Sequence, residues 1–491
     1  SIQGVKHQRS YMQQIKVSDE VYSFIGVDAC LETGPKRPFN FIGLLSGNET
    51  DHLRQLAAEA SNGNFTIWFG HYPSSCILSQ SGNSAGFREL IGNHDKSVAY
   101  LCGHLHTLGG LLHNMYTFQK EGFLELELGD WKDNRIFRIA AFDHGLFSFT
   151  DVVFNDWPII LITNPKNILC NSPYKDDTLL QKESTHIRIL LFSAEKIVQC
   201  QLKIDNGDWF ECQPKSRNLY VSKWSPDEFK TGIHTIYCLI KTDNGKLKQI
   251  QQLFSLDGSR SSFNLFSRIA LMMDVPKLFQ SLFSICLIFC IVPLCLFRIF
   301  HILALCGKLK KPRFRNNFLS NVARKFWILS SVDKLVFPTV VYCLYIIFGP
   351  WSIGEVIDGH IGVIFAWGIF VDNTFLPGTL TYLYGFFQLA FCQFPMIVIL
   401  AHVTDTQFQI HSKLASRKRG KLSKCLFHFP FTLITSVEIM LACTFWMYYG
   451  TLAFLIGPFR TWSIVLNCVL YYLANNLSDD NLKSATKVWK S

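Results

Sequence analysis

Apolar and polar positions alternate in short blocks over the first 150 residues. VYSFIGVDA (21–29) and FTIWFGH (65–71) are compact apolar runs of the kind that form buried strands. Between them, DHLRQLAAEAS (51–61) carries apolar residues at helical spacing, and Asp51 can cap its start. A second helix-like stretch, SAGFRELIGN, precedes another strand, SVAYLCG. This order predicts an α/β layer fold for the first part of the chain.

The hydrophobic period changes to two after residue 122. FLELELGDW and IFRIAAFDHGLFSFTDVVF alternate as antiparallel strands do. From 157 to 258, many short alternating runs are separated by turn signals such as DNG. Their spacing predicts a small all-β sandwich.

Long apolar runs dominate the second half of the chain. Runs of about 20 apolar residues can cross a bilayer as helices. The piece at 361–371 has only 11 residues and cannot span, so we expect it to be re-entrant or interfacial. The predicted membrane helices are 277–297, 335–350, 379–402, 429–449 and 451–473.

Basic residues predict the orientation of these helices. The loop 298–334 carries nine Lys and Arg and one acid, and the loop 413–424 carries six and none. The segment between them, 351–378, has no Lys or Arg and three acids. The positive-inside rule places both basic loops in the cytoplasm and residues 1–275 in a lumen or outside the cell. Sequons at Asn48 and Asn64, two predicted glycosylation sites, agree.

Composition supports a multi-domain membrane protein. Charged residues make up 17% of the 491 residues, below the roughly 25% usual for soluble domains. The net charge of +10 does not indicate nucleic acid, because many basic residues lie in the two loops. The lipid bilayer is the expected partner, and nucleic acid is not. The chain begins at Ser1 without an apolar leader, so we expect it to be a fragment whose natural start lies upstream.

The predicted organisation has five segments. Most cysteines are expected to be small buried side chains, although one disulfide among Cys200, Cys212 and Cys238 would fit the strand-rich stretch. The segments are an α/β domain (1–156), a β-sandwich (157–258), a linker (259–275), a multi-pass α-helical transmembrane region (276–475) and a C-terminal tail (476–491).

Histidines follow two of the predicted strands. His71 ends FTIWFGH, and SVAYLC is followed by GHLH, which contains His104 and His106. Ligands bind at the carboxyl ends of parallel strands in open α/β sheets, and imidazole is a common metal ligand. The pattern therefore predicts a metal site from His71, His104 and His106. The alternative is two unrelated turns that each carry histidine.

Other sequence motifs that resemble metal sites have less support. GNHD (92–95) precedes the strand that GHLH follows, and a strand of five residues is about 16 Å long. His94 is therefore expected at the opposite edge of the sheet from His104. Gly129-Asp130 follows GHLH in the chain, so it is not expected to be a metal ligand. Glu438 lies inside an apolar run, where the plainer interpretation is a carboxyl that faces inward and is hydrogen-bonded.

The chain resembles a known family. The segments GPKRPFNFIG, TIWFGH, AYLCGHLHTLGGL, LELELGDWKDNRIFRIAAFDH, ITNPKN, FGPWSIGEVIDG, GIFVDNTFLPG and YGTLAFLIGPFRTW together resemble the transmembrane protein 62 family, from about residue 20 to about 470. That family joins a calcineurin-like metallophosphoesterase domain, an immunoglobulin-like domain and a multi-pass region. The resemblance implies two divalent metal ions, with His71 and His104 on one and His106 on the other.

The sequence departs from the phosphoesterase pattern in one respect. Its first three metal motifs, Asp-x-His, Gly-Asp and Gly-Asn-His-Asp/Glu, should precede His71, and none does. Asp28 ends a strand there but is not a ligand in the pattern. The resemblance thus implies a phosphoester hydrolase, yet we expect this chain to be inactive as written, with no assignable catalytic residue. The alternative is a non-catalytic membrane-anchored scaffold that binds a phosphoester or a protein on the lumenal side.

Overall fold

The structure is a computed structural model that describes residues 9–31, 34, 36, 39–79, 85–172, 178–310, 317–412 and 420–489. The chain forms two compact units. The first unit comprises 1–30 and 43–275, and the second comprises 31–42 and 276–491.

The first part of the first unit is a mixed α/β layer, in agreement with the sequence pattern. Its central six-stranded sheet has the order β1-β2-β4-β6-β8-β7, and β3 pairs with β5. Its elements are β1 (Tyr11–Val17), β2 (Glu20–Val27), β3 (Gly43–Leu45), α1 (Gly47–Ala60), β4 (Phe65–Gly70), β5 (Ile77–Ser79), α2 (Ala85–Gly92), β6 (Ser97–Cys102), β7 (Met115–Phe118), β8 (Leu124–Glu127) and the hairpin β9 (Ile136–Asp143) and β10 (Leu146–Val153).

Four neighbouring strands of this sheet are parallel. β2 pairs with β4, β4 with β6, and β6 with β8, all in the parallel sense. The register aligns Val27 with Gly70, and Cys102 with Glu127. The carboxyl ends of these strands therefore meet at one edge of the sheet. Helix α1 begins at a good N-cap, because the Ser46 side chain accepts the Glu49 N–H.

The second part of the first unit consists of two four-stranded sheets. One has the order β11-β12-β16-β15 and the other β14-β13-β17-β18. Alternate residues of both sheets form one apolar core that includes Ile189, Leu202 and Ile240. Cys200, Cys212 and Cys238 lie in this core as free thiols. The elements are β11 (Ile159–Asn164), α3 (Thr178–Lys182), β12 (His186–Phe192), β13 (Ile197–Ile204), β14 (Phe210–Glu211), β15 (Gln213–Pro214), β16 (Leu219–Lys223), β17 (His234–Thr242), β18 (Leu247–Phe254) and α4 (Leu265–Met272).

The second unit is mainly helical. A π-helical turn, Gln388–Gln393, joins α8 to α9, and Gly450 has non-helical angles within α10. The elements are α5 (Val275–Leu305), α6 (Asn317–Ser331), α7 (Asp333–Phe348), β19 (Ser352–Ile357), β20 (His360–Phe365), β21 (Gly368–Val371), β22 (Thr374–Pro377), α8 (Leu380–Phe387), α9 (Phe394–His411), α10 (Lys421–Leu455), α11 (Thr461–Asn475) and α12 (Asp479–Trp489).

The number of candidate membrane spans differs from the five predicted. Among the described residues, three helical rods are long and apolar enough to cross a bilayer: α5, the α8–α9 rod and α10. The pair α6 and α7, bent by 94°, would make a fourth. The predicted continuous helix 451–473 is wrong, because residues 456–460 between α10 and α11 are not helical and α11 has only 15 residues.

For the piece 361–371, predicted to be re-entrant or interfacial, the re-entrant alternative is wrong. It forms β20 and β21 of an antiparallel four-stranded sheet, β19-β20-β21-β22. Gly359, Asp372 and Asn373 have positive φ at two of the three hairpin turns, which is the conformation that DG and DN sequences favour. The apolar run looked membrane-like because Ile364 and Ile369 are buried in the core of this unit.

Candidate functional site

The carboxyl edge of the parallel strands brings two predicted ligands together. His71 follows β4, and His104 follows β6 after Gly103. His104 Nδ1 lies 3.0 Å from His71 Nε2, and the two ring centroids are 4.9 Å apart. The Gly103 N–H also donates to the His71 carbonyl at 3.0 Å, which fixes the spacing of the two strand ends.

Close packing explains the glycine before His71. A Cβ on Gly70 would lie 2.8 Å from the Tyr100 hydroxyl oxygen and 2.9 Å from the Val27 carbonyl. The Tyr100 hydroxyl donates to the Tyr72 carbonyl just beyond His71. Only glycine therefore lets β4 pass close enough to its neighbours to deliver His71 at this point.

A buried glutamate organises the GHLH turn. Glu127 ends β8 and is 1% exposed. Its Oε1 accepts the backbone N–H of His106 at 2.8 Å and that of His104, and its Oε2 accepts from the Cys102 thiol at 3.3 Å. Burial raises the pKa of Glu127 to about 7, although these hydrogen bonds oppose the rise. Both oxygens are thus engaged in holding the turn.

A second buried glutamate supports the same edge. Glu125 is fully buried and accepts from the Ser74 N–H at 2.7 Å, the Ser74 hydroxyl at 2.6 Å and the Gln119 amide. Arg88 Nε donates to the Ser74 hydroxyl at 2.8 Å. Sequence reasoning missed both glutamates. The signal was FLELELG, whose period-two pattern puts both acids on one face of a strand.

His106 lies at the edge of a cavity. Its backbone is left-handed, with φ of 52°, and its ring borders a cavity of about 340 Å³ together with Tyr116 and Asp151. Arg138 pairs with Asp151 at 2.6 Å, and both side chains are largely buried. His106 therefore lines a cavity of mixed polar and apolar character within the first unit.

The two imidazole nitrogens at this edge have the spacing that one shared metal ion requires, but they are not a complete set of ligands. Two ligands at about 2.1 Å from a shared metal lie roughly 3.0–3.4 Å apart, and the two imidazole nitrogens are 3.0 Å apart. Burial lowers the pKa of His71, which favours the neutral ring that metals bind. Yet in the described part of the chain no three His, Cys, Asp or Glu side chains are grouped so that they could hold a metal. The residues present therefore do not complete a two-metal centre.

The remaining metal-like residues have other roles. His94 is buried at the start of β6, where its Nε2 lies 2.8 Å from the Thr66 hydroxyl, at the edge opposite His104. Asp28 forms an ion pair with Arg9 at 3.3 Å. Asp130 lies past β8, and hydrogen bonds from the Asp133 and Asn134 N–H groups lower its pKa to about 2. These contacts account for the three side chains without a metal.

Both predicted glycosylation positions are exposed. Asn48 lies in the first turn of α1, and Asn64 precedes β4. The Asn64 side-chain oxygen accepts the Val21 N–H at 2.8 Å. Thr66, the third residue of the second sequon, is fully buried.

Two family models match the chain. One, described as "TMEM62 Ig-like domain", matches residues 154–260 and covers the region of the two four-stranded sheets. The other, described as "TMEM62 C-terminal domain", matches residues 280–428.

Similar proteins come from an animal and a plant. "Transmembrane protein 62" of Mus musculus is 37% identical over 463 residues, which is 94% of this chain and 70% of the mouse protein. "Putative metallophosphoesterase At3g03305" of Arabidopsis thaliana is 25% identical over 420 residues, 70% of this chain and 55% of the plant protein. Among solved structures, the endo-beta-1,4-mannanase from Thermotoga petrophila is 9% identical over 43% of this chain and 46% of its own, and its TM-score of 0.16 is too low to carry an argument.

Proposed function

This chain belongs to the transmembrane protein 62 family, and from that premise we propose that it is the later part of a membrane-bound phosphoester hydrolase. The observation that carries the proposal is the pair of imidazole nitrogens, 3.0 Å apart, at the carboxyl edge of a parallel sheet. The similarity to a plant protein named as a metallophosphoesterase supports the same reaction class. The first 156 residues would then be part of a calcineurin-like domain.

His71 and His104 would bind one divalent metal ion, and His106 would bind a second. Such a pair of metals supplies an activated hydroxide and stabilises negative charge on phosphoryl oxygens. Glu127 would position both histidines of GHLH through their backbone N–H groups. The remaining ligands would come from sequence outside the 491 residues, so the chain as given would be a fragment.

Metal content and turnover test this proposal. We would compare the 491-residue chain with a form extended upstream, each purified in detergent, for bound metal and for hydrolysis of an aryl phosphate. The extended form should hold two metals and turn over, and His71→Ala and His104→Ala should each lose both properties. His144→Ala, which changes a histidine with a 74% exposed side chain outside the site, is the matched control. Two tightly bound metals with turnover in the 491-residue chain would refute the fragment part of the proposal.

A non-catalytic scaffold is the second candidate. It is favoured by the absence, among the described residues, of any group of three side chains able to hold a metal. An extended form that binds no metal and hydrolyses no phosphoester, while it retains a lumenal ligand, would support this function instead.

We also propose that the first unit faces a lumen or the cell exterior. The charge difference between the predicted loops supports this orientation. Asn48 and Asn64 provide the test, because glycans form only on that side. Glycosidase treatment should shift the parent chain on a gel and leave the double variant Asn48→Gln/Asn64→Gln unshifted. An unshifted parent chain with a protease-accessible first unit in the cytoplasm would contradict the orientation.

A further inference from the structure

The second unit contains a pocket that the proposed phosphoesterase chemistry does not use. It has a volume of about 300 Å³ and lies between α8 and α10. Its wall is rich in tyrosine and includes a single charged group, a guanidinium. The lining residues are Tyr384, Leu441, Thr444, Phe445, Tyr448, Tyr449 and Arg460.

Arg460 is held rigidly at this pocket. The residue is only 7% exposed. Its guanidinium carbon lies 4.6 Å above the ring of Phe459, and that ring stacks on Trp351 with centroids 4.0 Å apart. Arg460 Nη1 also donates to the Gln388 side-chain oxygen at 2.6 Å. The charge is therefore fixed in place before any ligand arrives.

The partner of this cation is a neutral amide. Gln388 in turn donates to Glu438 Oε1 at 3.3 Å, and Asn467 donates to both oxygens of the same carboxylate at 3.2 Å. The amide thus separates the guanidinium from the carboxylate. Across the described residues, no carboxylate forms an ion pair with Arg460.

The Glu438 carboxylate attracts Arg460 only across the Gln388 amide and does not bond to it directly, which leaves guanidinium N–H groups for an anion in the pocket. A guanidinium has five N–H donors, and the described residues accept one of them from Arg460. Charges in apolar surroundings are costly unless they are paired, and in membrane helices they mark ligand sites. Arginine also suits phosphate, because its planar donors can bind two oxygens together.

Exposed apolar side chains of α10 neighbour the lining residues in sequence. Helix α10 is long and apolar enough to cross a bilayer. It exposes 60% of Met440, 76% of Met447 and 56% of Tyr448 near the pocket. A ligand that enters between these side chains would come from the lipid phase. The π-helical turn at Gln388–Gln393 is also of a kind that often occurs at functional sites.

We propose that this pocket binds the phosphate head group of an anionic membrane lipid. Arg460 pairs with the phosphate, the hydroxyls of Tyr384 and Tyr448 donate to it, and the acyl chains lie along the exposed face of α10. The volume is at the lower end of the roughly 300–1,000 Å³ range of ligand sites, so it suits a head group and not a whole lipid. A cationic side chain between apolar helices attracts an anionic head group through the same electrostatic interaction.

Native mass spectrometry of the full chain tests the proposal. The purified chain would be equilibrated with phosphatidylglycerol and phosphatidylcholine of identical acyl chains in equal amounts. We expect one retained lipid per chain, with about a tenfold preference for phosphatidylglycerol. Arg460→Gln should abolish the preference, and Arg460→Lys should retain part of it because it keeps the charge but not the planar donors.

A second pair of variants leaves Arg460 intact. Leu441→Trp should fill the pocket and abolish retention of phosphatidylglycerol, whereas Ile439→Trp, on an exposed position outside the lining, should not. This pair decides the question if Arg460→Gln does not fold. Equal retention of the two lipids by the parent, or an unchanged preference in Leu441→Trp, would overturn the proposal. Displacement of phosphatidylglycerol by inorganic phosphate alone would show a soluble-anion site and would overturn it too.

Discussion

Replacing Glu127 by alanine should loosen the GHLH turn while leaving the sheet folded. The substitution removes the single oxygen that accepts the N–H groups of His104 and His106. An unsatisfied buried donor costs about 1–3 kcal/mol. Both histidines are half-buried, so water can reach the turn in part, and the lower end of this range applies to each donor. The expected loss in local stability is therefore about 2–3 kcal/mol.

Amide hydrogen exchange of the full chain measures this loss directly. Since about 1.4 kcal/mol corresponds to a factor of ten, exchange at His104 and His106 should accelerate roughly thirty- to a hundredfold. Glu127→Gln is the matched control, because a glutamine carbonyl oxygen can accept the same two N–H groups. Its exchange at the two amides should stay close to that of the parent chain.

The same measurement can refute the reasoning. If Glu127→Ala left the two amides as protected as in the parent, the carboxylate would not be what holds the turn. If Glu127→Gln lost as much protection as Glu127→Ala, the negative charge, and not the acceptor geometry, would carry the effect. A general rise in exchange throughout β6 would indicate global destabilisation of the sheet.

Three further predictions concern the same unit. Gly70→Ala should lower the free energy of unfolding by about 1–3 kcal/mol through overpacking against Tyr100 and Val27, measured by thermal unfolding. Gly232→Ser, at a glycine with open space around it and a φ of +92°, tests backbone strain without overpacking. Burial raises the pKa of Glu125 in the folded protein, so its contribution to stability is present below the unfolded pKa and is lost as pH rises through the folded pKa. Glu125→Gln should flatten this fall in the free energy of unfolding when unfolding curves are recorded over a series of pH values. An unchanged slope would contradict the assignment. Arg138→Met should lower the free energy of unfolding by about 3–5 kcal/mol, because Asp151 stays buried without its cation. In denaturant unfolding, Arg138→Met/Asp151→Leu should recover most of this loss if the ion pair is the cause.

Local patterns were enough to predict several elements and their order. The apolar runs at β2, β4 and β6 and the helical spacing of α1 are properties of neighbouring residues, so the sequence alone indicates them. The same holds for α5, whose apolar length exceeds what a bilayer requires. The placement of His94 and His104 at opposite edges followed from the rise of a strand.

Other features depended on contacts between distant parts of the chain. The buried roles of Glu125 and Glu127 depend on the register of β8 beside β6, which pairs Cys102 with Glu127. The apolar pattern at 361–371 shows that these residues avoid water, but a protein interior and a bilayer are equally apolar. The sequence therefore does not distinguish the sheet β19–β22 from a membrane segment.

The amino-acid sequence by itself determined the strands β2, β4 and β6, the apolar helix α5 and the two strands that are followed by histidine, because period and apolarity are encoded by near neighbours. Tertiary structure alone decided that His71 and His104 lie 3.0 Å apart, that Glu127 holds the GHLH turn and that Arg460 lines a pocket beside a neutral amide. The reason is physical: these distances join residues tens of positions apart, and only the pairing of strands and the packing of helices sets them.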